Sequence, residues 1–134
     1  MQWNIFLNLY VISLPVFFII DLLWIGLVAN TFYNTQIGHL RGPISWPAAI
    51  AFYTIFLAGV TYFATYPAVM SGGVGRAVLL GALFGFFTYA TYNLTNMSTL
   101  KDWPLLMTVV DMTWGVALGA AVAGISVFFY SLLG

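Results

Sequence analysis

The sequence predicts an all-α integral membrane protein, a bundle of four transmembrane helices, and three observations carry that reading. Of 134 residues, 63% are hydrophobic and only 4% are charged, with a mean hydropathy of +1.02. A soluble domain carries about 25% charged residues, so three acidic and three basic side chains cannot clothe a water-facing surface of this size. The apolar residues gather into four runs, each close to the roughly 20 residues needed to cross a bilayer core of about 30 Å. Of the six charges, Arg41, Arg76, Lys101 and Asp102 fall between runs or at their ends, leaving only Asp21 and Asp111 inside them.

The first span is expected over residues 5–29. It reads as a retained helix rather than a removable leader, because MQWNIFLNLYVISLP has no basic start and no clear small-residue cleavage site. Pro15 is expected to kink it. The stretch 30–46 is too polar to span and is expected to form an interfacial loop, in part as a short helix lying in the interface. A second span covers 47–69, bracketed at its start by Pro43 and Pro47 and closed by Pro67, and SGGVG at 71–75 makes the next turn. The third covers 77–97. The fourth covers 105–130 and opens at Pro104, where a missing amide donor costs least. All four belong to one domain, residues 1–134. Trp46 and Trp103 mark one interfacial belt and Trp3 the other, while Arg41 and Lys101 against Arg76 give the positive-inside rule little to choose between orientations.

Several chemistries are excluded. Without cysteine there is no disulfide, thiolate metal site or cysteine nucleophile. A net charge of zero offers no basic surface for nucleic acid. His39, the single histidine, lies beside Arg41 in the polar stretch and fits a solvent or headgroup contact. With no clustered histidine or cysteine, no transition-metal site is expected. No phosphate-cradling glycine loop, serine triad or cofactor motif is present, so no cofactor is expected and no catalytic residue can be named.

The two intramembrane aspartates share a pattern, Asp21-x-x-Trp24 and Asp111-x-x-Trp114. An aspartate near a helix centre costs roughly 2.5–3.5 kcal/mol on insertion scales, so it normally faces the bundle interior and finds a partner. At about 1.5 Å per residue, both aspartates lie roughly 10–13 Å below the face that carries Arg41 and Lys101. Small residues at four-residue spacing mark the third and fourth helices: Ala77, Gly81 and Gly85 in one, Gly115, Gly119 and Ala123 in the other. Such stripes let backbones approach closely in lipid. Folding the two helices into an antiparallel hairpin pairs residues whose numbers have a constant sum. Gly81 then meets Ala123, Gly85 meets Gly119, Tyr89 meets Gly115, and Asn93 meets Asp111. The expected polar pocket therefore contains Asp21, Asp111 and Asn93, with Trp24, Trp114, Tyr89, Tyr92 and Asn96 within about a turn. Two carboxylates at one depth in a low dielectric repel if both are ionised, which couples proton uptake to whatever binds between them. The simpler alternative is that Asp111 and Asn93 only fasten two helices together.

DLLWIGLVANTFYNTQIGHL (21–40), GALFGFFTYATYNLTNMSTLKDWP (81–104) and VVDMTWG (109–115) resemble a family of small bacterial integral membrane proteins known as domain of unknown function 2177. The resemblance implies a multi-pass protein of four helices in the bacterial cytoplasmic, or inner, membrane, and no established reaction. It also implies that the Asn93 position is more often aspartate, so this chain carries an amide in place of a third carboxylate. Three functions stay open. The first is proton-linked binding or transport of a small amphipathic or lipid-like compound, with membrane lipids as neighbours and a homodimer as the working unit. The second is an accessory subunit of a larger membrane complex, and the third a lipid-modifying enzyme.

Overall fold

Hydrocarbon offers a backbone no hydrogen-bond partner, so an apolar chain in a bilayer must satisfy its amides within its own helices. The computed structural model, which describes residues 1–134, does so: 102 of 108 backbone–backbone hydrogen bonds lie within regular elements, and there is no strand. Six α-helices make four rods. The first rod runs Trp3–Leu40 and contains α1 (Trp3–Trp24), a π-helical turn (Ile25–Ala29), α2 (Asn30–Ile37) and a final 3₁₀ turn. The second, Trp46–Met70, contains α3 (Trp46–Val60), a π-helical turn (Thr61–Thr65) and α4 (Tyr66–Met70). The third is α5 (Gly73–Thr99) and the fourth α6 (Leu105–Leu133). All four rods are long and apolar enough to cross a membrane.

Residues 30–46 depart from the expected loop. The chain stays helical through Leu40, and the true connection is only 41–45. The polar residues do not oppose a helix, because those of α2 point outward: Thr31, Asn34 and Thr35 are exposed, and Thr35 returns its hydroxyl to the Thr31 carbonyl. A rod of 38 residues is about 57 Å long at 1.5 Å per residue, well beyond the roughly 30 Å hydrocarbon core. Its polar α2 end is the part left over. Pro15 does not interrupt α1.

Threonines of the spans bond back onto their own helices. Thr61, Thr88, Thr91 and Thr113 each donate to the carbonyl four residues earlier, which hides the hydroxyl from lipid without a partner helix. Side-chain bonds between rods are correspondingly few. Apart from a long Thr108–Met97 contact, both such side chain–side chain bonds end on Asp111.

Packing is uneven along the bundle. The buried core comprises Leu9, Phe17, Phe56, Leu57, Val60, Ala64, Ala68, Ala77, Leu118, Val122, Ala123 and Val127. Most of these lie towards the face bearing the Met70–Gly73 turn. On the opposite side, Trp46–Ile55 of α3 is exposed except for part-buried Ala49 and Tyr53. The half nearer Arg41 and Lys101 is thus the looser half, and it holds the two cavities that border Asp111. On α5 and α6 the glycines face each other. A Cβ at Gly81 would strike Gly119 and Ala123, one at Gly85 would strike the Gly115 carbonyl, and one at Gly115 would strike the Tyr89 side chain.

Candidate functional site

Asp111 is 5% exposed, and both of its oxygens are engaged. Tyr33 donates its hydroxyl to Oδ1 at 2.7 Å. The Asn93 amide donates to Oδ2 at 2.6 Å and also to the Tyr89 carbonyl at 3.0 Å. Tyr33 in turn accepts from the Trp24 indole at 3.1 Å. A relay therefore runs from Trp24 through Tyr33 and Asp111 to Asn93, joining the first rod to α6 and α5. Asn93 is fully buried and stands behind Asp111 rather than facing a cavity, with its Oδ1 unpaired. Its amide orientation follows from the two acceptors it serves.

Asp21 stands differently. It is part-buried on α1 and its carboxylate makes no hydrogen bond. Both aspartates line one cavity of about 600 Å³, with Trp24, Ile25, Tyr33, Phe52, Phe56, Thr88, Tyr89, Thr91, Tyr92 and Trp114. Trp24 and Trp114 stack at a centroid distance of 4.2 Å with planes 6° apart, closing one wall with indole faces. Ile25, Phe52 and Tyr92 are exposed on the rim, so the cavity opens sideways towards the bilayer. Its origin is the stand-off of α3 from the other rods.

The structure thus brings Asp21, Asp111, Trp24, Trp114, Tyr89 and Tyr92 to one cavity. It assigns Asn93 to support, and places Gly81, Gly85, Gly115 and Gly119 on the α5–α6 contact. Tyr33 is the residue that sequence reasoning missed. It lies nine positions after Trp24, two and a half turns of a 3.6-residue helix, which would place it on the opposite face. The π-helical turn at Ile25–Ala29 takes up an extra residue and re-phases the rod, so that Tyr33 reaches Asp111. A polar, aromatic-bearing segment directly after an intramembrane aspartate was the available signal. Tyr33→Phe removes the donor to Asp111 and the acceptor of Trp24 together, and is expected to lower stability by about 1–2 kcal/mol. Chemical unfolding in bicelles measures this, with Tyr62→Phe as the control because Tyr62 is exposed and unbonded; equal midpoints in both variants would deny the bond any weight.

Four spanning rods around an acidic, laterally open cavity define a polytopic membrane protein with an intramembrane carboxylate pocket. Residues 6–128 match the family described as a predicted membrane protein, domain of unknown function 2177. The chain belongs to that family. No curated protein and no solved structure matches it.

Proposed function

We propose that this protein binds a small amphipathic or lipid-like compound with a cationic or hydrogen-bond-donating head, and as a homodimer in a bacterial cytoplasmic membrane carries it in exchange for protons. The observation behind this reading is the contrast between the two carboxylates in one cavity. Asp111 is held by two donors, whereas Asp21 has none and faces apolar and aromatic walls. An acidic group at membrane depth without a partner is costly, and a ligand that supplies a donor removes the cost. A volume of about 600 Å³ suits a small ligand, since such pockets run from roughly 300 to 1,000 Å³. The sideways opening suits a compound that reaches the site from the bilayer. The indole walls at Trp24 and Trp114 favour a cationic head as well as an apolar body.

The test is titration of dodecylamine into the protein in nanodiscs, followed by tryptophan fluorescence and corrected against empty nanodiscs. Asp21→Asn should weaken binding at least about tenfold, the factor given by 1.4 kcal/mol. An ammonium pairs with the ionised carboxylate, so wild-type affinity should fall as pH is lowered through the titration of Asp21, and the variant should lose that dependence. Unchanged affinity and an unchanged pH profile in Asp21→Asn would remove the proposal.

A further inference from the structure

A second cavity, of about 620 Å³, lies between the first one and the face bearing Arg41, Leu100 and Trp103. Tyr33, Tyr92 and Asp111 belong to the walls of both. The second differs in chemistry, because Arg41 and Asn96 stand in its wall while the first has no basic residue.

We propose that this second cavity is a phosphate-binding site, taking the phosphate of a lipid headgroup or of a free phosphate ester. Arg41 is positioned by a hydrogen bond from Nη1 to the Asn34 side chain. That bond leaves most of the five guanidinium N–H donors free. The Asn96 amide and the Tyr92 hydroxyl also line the cavity, one turn apart on α5 and within hydrogen-bonding reach of each other, which leaves the second Asn96 N–H and the Tyr92 O–H as donors. Donors from three side chains converge on one space, and a tetrahedral phosphate offers acceptors in several directions, with the arginine fork matching two of its oxygens. The Trp103 indole is already committed to Thr108 and serves as wall. Asp111 also lines this cavity, but both of its oxygens are engaged by Tyr33 and Asn93, so an anion is drawn to Arg41 instead. Ile37, Leu40, Leu100 and Met107 supply apolar walls for whatever the phosphate carries. The site lies at the level of an interfacial tryptophan, where headgroups are found. It does not rest on the Asp21 reading above: Tyr92 borders both cavities, but Arg41 and Asn96 line only the second, Asp21 lines only the first, and the ligand charge is opposite.

Native mass spectrometry of the full chain released from nanodiscs containing dioleoyl phosphatidylglycerol and dioleoylglycerol tests the site. The wild type should retain the phosphate lipid in preference to the phosphate-free one. Arg41→Gln should reduce that retention roughly tenfold, as loss of charge-assisted hydrogen bonds implies. Lys101→Gln, which removes an exposed charge from the same face outside the cavity, should leave it unchanged. Asp21→Asn should also leave it unchanged, so failure here and failure of the first cavity can be told apart. Full retention in Arg41→Gln overturns the proposal, as does an equal loss in Lys101→Gln, which would mean only diffuse surface charge. Glycerol 3-phosphate added in excess separates the sources: displacement of the lipid identifies a free ester as an occupant, and persistence identifies the lipid headgroup.

Discussion

Asp111→Ala is expected to be the most damaging single side-chain truncation in the looser half of the bundle, lowering stability by about 2–4 kcal/mol. The reason is the number of donors it abandons. Tyr33 and the fully buried Asn93 both lose their acceptor, and a buried donor left unpaired costs about 1–3 kcal/mol. Part of the loss is offset because alanine enters hydrocarbon more readily than aspartate. Interhelical hydrogen bonds in membranes average only about 0.6 kcal/mol in measured cycles, so the size of the effect decides between two roles. A double-mutant cycle of Asp111→Ala with Asn93→Ala, read by steric-trap unfolding in bicelles, should give a coupling in the range of about 0.5–3 kcal/mol. Zero coupling would mean that the short Asn93–Asp111 bond does not hold α5 to α6.

Gly85→Ala is expected to cost about 1–3 kcal/mol, the usual range for overpacking. The added methyl would press on the Gly115 carbonyl, and its counterpart at Gly119 would press on the Gly81 carbonyl. Backbone cannot rotate away as a side chain can, so the helices must separate or slide. Asn93 lies about two turns along α5 from Gly85, and a slide there would also disturb its bond to Asp111. The thermal midpoint of the detergent-solubilised protein measures the loss, and loss of tryptophan stacking in near-ultraviolet circular dichroism would report displacement at Trp114. Gly26→Ala is the control: nothing lies within 4 Å of a Cβ at that position, and alanine there should be neutral or mildly stabilising. Equal behaviour of the two variants would show that close backbone approach is unimportant.

The four spans were legible because hydropathy is summed along the chain and needs no knowledge of neighbours. The residues to examine were legible for a related reason: aspartate inside an apolar run carries a cost that something must offset. Glycines spaced by four pointed to the α5–α6 surface on which they lie. Other features depend on information that no local pattern holds. The helical path of 30–40 was hidden because polar residues on a helix beyond the hydrocarbon look like those of a loop. Tyr33 was hidden with it, since a tyrosine expected in a loop has no register against Trp24, and the Ile25–Ala29 turn sets the phase that brings it to Asp111. The cavity itself was hidden because it arises where α3 fails to pack, and an apolar residue facing a cavity reads the same as one facing lipid. Ile25, Phe52 and Phe56 belong to that group.

The uneven distribution of the core has a dynamic consequence. Free energies of local opening follow the density of buried apolar contacts, and regions poor in them open without the rest unfolding. The half around Leu57, Val60, Leu118 and Val122 acts as a clamp, while the half around α2 and the start of α3 can breathe about it. On the binding function proposed above, ligand exchange would draw on motions of the weakly packed half alone, and a compound could enter and leave many times within the lifetime of one folded molecule.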